Sequence, residues 1–313
     1  MNFDFAKLSN YVESKVRNCV NFQIPLMKLP DLISIIASLD TSKSTGLDSI
    51  TPKILKASAD IICPTLFKII NVSISSGIFP DCLKQAKIIP IYKGGPQNDP
   101  SNYRPISILS ILSKIIEKHI AKHLFGYMNK YSLLHKSQSG FRKNHSCNTA
   151  LINIIDKWLS EIDRGEVIGA VFFDLRKAFD IVDHDLLLQK LAVYKFKDSA
   201  LSWIRSYLYN RKQCITDKTD RSSFQNVHSG VPQGSVLGPV LFLLFVNDMP
   251  LFIHDAYIDI YADDTTLHTA SKDSKTVENN LQIGTDNFKT WCLSNKMFIN
   301  IEKTSVMTIG TRQ

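Results

Sequence analysis

Residues 167–173 (Val-Ile-Gly-Ala-Val-Phe-Phe) are all apolar or small, and the run stops at Asp174. A short, unbroken apolar run of this kind predicts a strand buried within a sheet, not one with a wet face. The chain must therefore supply cover for it, and the composition allows this: 44% of the 313 residues are hydrophobic. With Gly 13 and Pro 12 the chain is neither collagen-like nor low-complexity, and its apolar content excludes a disordered chain. The length suits one large domain or two lobes. A formal charge of +8 favours polyanionic partners, although an ordinary basic protein is an equal reading of charge alone.

Helical periodicity dominates the first eighty or so residues. Phe5, Leu8, Tyr11, Val12 and Val16 share a face, Leu32, Ile35, Ile36 and Leu39 share another, and further helices begin near Pro52 and at Asp60. A short strand over 86–93 and a turn-rich loop precede a long helix expected from Ile108 to Asn129. A helix to Asp163, the buried strand, two helices over 183–209 and a hairpin over 211–228 follow. An apolar helix from Gly238 to Phe252, a hairpin around Ala262-Asp263-Asp264, a helix over 274–294 and two closing strands, 297–301 and 305–309, complete an α+β pattern. Its strands are concentrated after residue 166.

Asp263 and Asp264 stand side by side at the hairpin tip, where like charges repel unless a cation or solvent compensates. Asp174 would add a third carboxylate if its strand lies beside the hairpin. Three hard oxygen donors suit a pair of Mg²⁺ ions of the kind that serves in-line phosphoryl displacement. The plainer alternative is that Asp-Asp is a good turn pair and Asp174 a strand terminator. A Tyr-x-Asp-Asp string alone arises by chance in about one chain in fifty.

Other segments narrow the choice. Tyr261-Ala262-Asp263-Asp264-Thr265 resembles motif C of reverse transcriptases, and 171–180, with Lys177-Ala178-Phe179-Asp180, resembles motif A of the non-LTR (LINE-type) retrotransposon enzymes. Gly230-Val231-Pro232-Gln233-Gly234-Ser235 resembles motif B. Tyr103-Arg104-Pro105-Ile106-Ser107 with Ser113-Lys114-Ile115-Ile116-Glu117-Lys118, and Gln138-Ser139-Gly140-Phe141-Arg142, are similar to the finger motifs. Asn300-Ile301-Glu302-Lys303-Thr304 resembles motif D. The segments keep the family's order over about residues 87–309, and the match is nearest the Jockey-like group.

The resemblance implies a right-hand polymerase fold of fingers and palm, with an antiparallel palm sheet backed by helices and no thumb. Residues 1–80 would be a helical extension, 81–165 the fingers and 166–313 the palm, with the thumb and endonuclease of a parent polyprotein missing. It implies an RNA-directed DNA polymerase that uses an RNA template, a DNA primer, dNTPs and two Mg²⁺ ions, with Mn²⁺ able to substitute. Asp174, Asp263 and Asp264 become the metal triad, with the Leu175 carbonyl as an extra ligand. Phe179 becomes the aromatic beneath the incoming sugar that disfavours a ribose, and Gln233 and Gly234 lie by the nascent base pair. Arg104 and Arg142 become candidate triphosphate contacts and Lys303 the proton donor to pyrophosphate. Core packing for Phe179 and a surface position for Lys303, Arg104 or Arg142 are the structural alternatives.

Lys87, Lys93, Lys136, Lys143 and His145 are either a template-channel lining or solvated charges. Asp183 reads as a helix cap. The six cysteines, Cys19, Cys63, Cys82, Cys147, Cys214 and Cys292, lack zinc-finger spacing and are expected as reduced, mostly buried thiols. No signal peptide is evident, and the longest apolar run, 236–246, is about half a bilayer span, so an intracellular protein without a membrane is expected, and the resemblance to a retroelement product implies a nuclear and cytoplasmic one. Two other functions remain open at this point. One is an inactive retroelement remnant that only binds nucleic acid; the other is an RNA-dependent RNA polymerase, against which Phe179 argues.

Overall fold

Local signals set most of the helix boundaries. The computed structural model describes residues 3–17, 19–217 and 220–310, and begins with α1 (Ala6–Glu13), α2 (Leu29–Ala37), α3 (Pro52–Ala57) and α4 (Ala59–Ser76). Pro30 and Pro52 stand in first turns, where a missing N–H leaves no helical bond unmade, and the Thr51 side chain accepts from the Ile54 N–H. Gly77 closes α4 in the left-handed conformation at φ +68°. Then come β1 (Gln85–Tyr92), β2 (Tyr103–Leu109), α5 (Ile111–Lys130) and α6 (Cys147–Asp163), the last opened by a capping box between Ser146 and Thr149.

The second half runs β3 (Val167–Phe173), α7 (His184–Val193), α8 (Asp198–Leu208), β4 (Arg211–Asp217), β5 (Asp220–Arg221), β6 (Gln225–Val227) and α9 (Leu237–Val246). It ends with β7 (Tyr257–Tyr261), β8 (Asp264–Ser271), α10 (Ser274–Ser294) and β9 (Ser305–Ile309).

Two sheets result. One orders its strands β7-β8-β3-β9, antiparallel throughout; the other orders them β2-β1-β4-β5, with β6 also on β4. The second sheet is mixed, because β1 pairs parallel with β4 from Gln85↔Lys212 to Ile88↔Ile215. Among the described residues, seven of the nine strands, β3 to β9, lie after residue 166 as expected, and β1 falls where the short strand over 86–93 is expected; β2 is the addition. The helix expected from Ile108 starts at Ile111, because 103–109 pair with β1 and Ser110 caps the helix by accepting from the Leu112 N–H. The expected strand at 297–301 is a single bridge, Leu175↔Ile299, followed by a 3₁₀ turn, and residues 218 and 219 of the expected hairpin lie outside the described residues. The apolar helix that begins at 237 ends at Val246, and a separate 3₁₀ turn covers Met249–Phe252.

β3 shows why an unbroken apolar run was needed. Its alternate side chains face opposite ways. On one face a Cβ at Gly169 would lie 2.5 Å from Val277 and Leu281 of α10, and Phe173 packs on Phe288 with ring centroids 4.4 Å apart. On the other face Ile168, Ala170 and Phe172 meet Trp158 of α6. Lys157 of α6 and His268 of β8 both contact the Asp259 carboxylate at 2.9 Å, fixing that helix to the sheet. The main core is continuous from Leu8 to Met297, so the N-terminal helices share it with the sheet.

Helix α4 meets the length and composition for a bilayer span, a possibility that a search for the longest apolar run overlooks. Here its buried face, Cys63, Leu66, Ile70, Ser73 and Ile74, joins the core. The cysteines are all free, with Cys63, Cys214 and Cys292 buried and the other three exposed, fewer buried than expected.

Behind the sheet lies a fully buried ion pair, Lys190 to Asp248 at 2.7 Å. Burial pushes Lys190 down and Asp248 up, and their mutual attraction opposes both shifts. Phe3, Phe245 and Trp291 surround the ammonium, and Trp291 Nε1 donates to Asp248 Oδ1 at 3.0 Å. A buried charge that loses its partner is far more costly than a buried pair is worth, so Lys190→Met should destabilise the fold by about 3–5 kcal/mol. Adding Asp248→Asn, which keeps an acceptor for Trp291, should recover more than half of that in urea denaturation.

Candidate active site

The site is built where β3 ends. The antiparallel register Phe173↔Thr265 carries Asp174 to Asp264, and the β7–β8 turn through Ala262, at φ +60°, adds Asp263. The Asn300 side-chain N–H donates to Asp174 Oδ2 at 2.7 Å, the Asn300 backbone N–H donates to the Asp174 carbonyl at 2.8 Å, and Lys303 Nζ stands 3.8 Å from Oδ2. Arg176 N–H donates to the Phe298 carbonyl, so two bonds bracket Leu175 and neither uses its carbonyl. Asp174, Asp264, Thr265, Thr266 and Lys303 line a cleft of about 300 Å³. A larger groove of about 490 Å³, between the Gln23–Leu26 segment and α8, carries no acidic residue and is set aside on chemical grounds.

Electrostatics matches this placement. Burial pushes the Asp263 carboxyl above its usual range, Asp264 and Asp174 push it the same way, and Arg104 opposes them. Asp264 is raised by burial and by Asp174, with Lys303 opposing. As placed, no three His, Cys, Asp or Glu side chains among the described residues close into a metal cage. What the acids form is a concentration of repelling hard oxygen donors, which fits a hard divalent cation better than it fits empty water.

The remaining segments meet at the same place. Phe179 stacks on Phe242 at 4.1 Å and meets Phe141 edge-on at 6.0 Å, and is half-buried. Gln233 Nε2 donates to Asp180 Oδ1 at 2.8 Å, and the Gln233 carbonyl accepts from the Ser107 N–H at 2.8 Å. Gly234 is at φ +109°, and a Cβ there would lie 2.4 Å from the Ser107 carbonyl oxygen. Arg104 is exposed on β2, whereas Arg142 Nη1 donates to the carbonyls of Gln138 and His135 and is partly spent on its own loop. Lys93, Lys136, Lys143 and His145 are exposed, Lys87 is half-buried, and none of these is paired with a carboxylate among the described residues. Asp183 caps α7 by accepting from the Leu186 N–H.

Several residues that hold the site gave no separate signal in the sequence. Glu117, fully buried on α5, accepts from the N–H groups of Val236 and Leu237 at the start of α9 and from the Ser113 hydroxyl. Gln138 Oε1 accepts from the N–H groups of Gly140 and Ala262. Both residues, like Asn300, lie inside the quoted motifs, so a search for buried polar partners within those motifs would have found them.

A carboxyl whose folded pKa is raised binds protons more tightly when folded, so its contribution to stability falls as pH rises through that pKa. Without divalent ions, Asp263→Asn should therefore raise the melting temperature above pH 6 by about 1–3 °C. The gain should fade as pH drops through about 4 and disappear by about pH 3, where the wild-type carboxyl is protonated in both states. Calorimetry in the presence of a chelator reads both.

Comparison with known proteins agrees with these features. Residues 91–312 match the family described as reverse transcriptase (RNA-dependent DNA polymerase). The chain is 32% identical over 315 residues to a probable RNA-directed DNA polymerase from transposon BS of Drosophila melanogaster, covering 97% of this chain and 35% of that protein. It is 32% identical over 321 residues to the RNA-directed DNA polymerase from mobile element jockey of the same species, with 99% and 35% covered. For the jockey protein of Drosophila funebris the figures are 31% over 288 residues, with 90% and 31% covered. The chain thus spans about a third of the length of these relatives.

Proposed function

The chain belongs to the reverse transcriptase (RNA-dependent DNA polymerase) family, and from that premise we propose that it carries the DNA-synthesising centre of a non-LTR, jockey-like retrotransposon protein. The observation that supports this reading is the mutual repulsion of Asp174, Asp263 and Asp264 at one end of the antiparallel sheet, where Asp174, Asp264 and Lys303 line one cleft. The antiparallel sheet is the palm within 166–313, the second sheet belongs to the fingers of 81–165 with β4 to β6 added from the later sequence, and residues 1–80 are a helical extension. A thumb and an endonuclease would come from polypeptide outside this span.

The substrates on this reading are dNTPs and a DNA primer on an RNA template, inside the cell. Asp174, Asp263 and Asp264, with the Leu175 carbonyl, would hold two Mg²⁺ ions, or Mn²⁺. When bound, such a pair supplies the positive charge that stabilises in-line phosphoryl displacement. The primer 3′-hydroxyl gives up its proton to solvent, its oxygen joins the α-phosphorus, and the bond from the α-phosphorus to the bridging oxygen breaks so that pyrophosphate leaves. The Lys303 ammonium is the proton source for that leaving group. Arg104 is exposed and close enough to oppose the charge of Asp263, which supports a triphosphate contact on this reading, and Arg142 has donors beyond Nη1 that would serve the same task. On this reading the phenyl ring of Phe179, stacked on Phe242, would lie beneath the incoming sugar and disfavour a ribose 2′-hydroxyl. Gln233 and Gly234 line the place of the nascent base pair.

Primer extension on an RNA template tests the proposal. Asp263→Ala should lower incorporation at least about 10²-fold, the scale set by losing one preorganised charge-stabilising group. RNA binding with no incorporation by the wild type would favour a binding-only protein instead. Phe179→Ala should raise ribonucleotide use relative to deoxynucleotide use by about tenfold, or ~1.4 kcal/mol, measured as the ratio of kcat/KM values.

A further inference from the structure

The loop that carries Gln138 is bonded directly to the strand that carries the acids. Ile260 N–H donates to the Ser137 carbonyl and Ser139 N–H to the Ile260 carbonyl, each at 2.8 Å, so Gln138 forms a single parallel bridge to Ile260 of β7. Gln138 is fully buried. Its Oε1 accepts from the Gly140 N–H at 2.7 Å and from the Ala262 N–H at 3.1 Å. Two backbone N–H donors assign that atom as the oxygen, since an amide nitrogen cannot accept from them. Nε2 is buried without a partner, so only the acceptor half of the side chain is used.

The fit around this contact is close. A Cβ at Gly140 would lie 2.3 Å from the Ala262 nitrogen. Ala262 is left-handed at φ +60°, a conformation that costs a non-glycine residue roughly 1–3 kcal/mol and persists only where neighbours over-determine it. Its N–H is the backbone group immediately before Asp263 and Asp264. Phe141, two residues beyond Ser139, touches Phe179 edge-on, so one loop reaches both the acids and that ring.

We propose that Gln138 is a positioning residue for DNA synthesis: its side-chain oxygen latches the Ala262 N–H and fixes the turn that aims Asp263 and Asp264. The proposal rests on the polymerase reading above for its functional consequence, and on hydrogen bonding alone for the latch itself. Because the latch belongs to the loop that also holds Phe141 and Arg142, displacement of that loop would move the acids with it.

Two near-isosteric variants separate the latch from mere packing. Gln138→Met fills the space without an acceptor, and Gln138→Glu keeps one. Amide hydrogen exchange at Ala262 should be slow in the wild type, at least about tenfold faster in the Met variant and again slow in the Glu variant. In primer extension, Gln138→Met should lower kcat by about 10- to 100-fold, the cost expected when reacting groups are misplaced by around 1 Å. KM for dNTP should stay within about twofold of the wild type, because a misaimed acid removes transition-state stabilisation and not ground-state binding. Gln138→Glu should recover most of the kcat. Fast exchange at Ala262 in the wild type, or slow exchange and unchanged kcat in the Met variant, overturns the proposal. If the Met variant fails to fold, the wild-type and Glu exchange rates decide it. A wild type that makes no DNA defeats the polymerase reading while leaving exchange to judge the latch, whereas vigorous synthesis with a freely exchanging Ala262 defeats only the latch.

Discussion

The antiparallel register of β3 on β8 is the constraint on which the rest depends. With Phe173 opposite Thr265, Asp174 is delivered to Asp264 at the end of the sheet. A one-residue slip would turn every side chain of β3 to the other face, moving Phe173 away from Phe288 and Phe172 away from Trp158. Register is therefore set by two packed helices, and the acids inherit their position from apolar contacts on both sides of the strand.

That position is unfavourable in itself. Burial and mutual repulsion raise Asp263 and Asp264, and the left-handed residues Lys177, Ala262, Phe141, Gly230 and Gly234 all lie in the segments that meet there. Such strain survives when the surroundings over-determine it. The surroundings here are hydrogen bonds between segments far apart in sequence: Ser107 to Gln233, Glu117 to Val236, Val231 to Phe179 and Gln138 to Ala262. Each joins two segments that are far apart in the chain. A fold stabilised by a core running from Leu8 to Met297 can carry this local cost.

The sequence showed most clearly what periodicity and end signals encode. The 167–173 strand, the helices bounded by Pro30, Pro52 and Gly77, and the hairpin at Ala262 are local patterns, and the acids could be picked out by charge repulsion before any family likeness. Non-local pairing was not legible. The parallel β1–β4 contact joins residues about 127 positions apart, and β2 goes unseen in the sequence, its last two residues falling within the expected helix, because Arg104 and Pro105 obscure its alternation. Residues 297–301 have the apolar content of a strand, but the chain turns at Ile301 after a single bridge to Leu175. Gln138 and Glu117 show no pattern because their partners are backbone N–H groups, which carry no side-chain signature.

The central claim is that Asp174, Asp263 and Asp264 act as one cation site. Titrating Mn²⁺ into this chain, with free ion followed by electron paramagnetic resonance, tests it most directly. Binding should be saturable, weakened by replacing any one of the three with Asn and abolished by replacing all three in a protein that remains folded. Undiminished Mn²⁺ binding by the folded triple variant would contradict it.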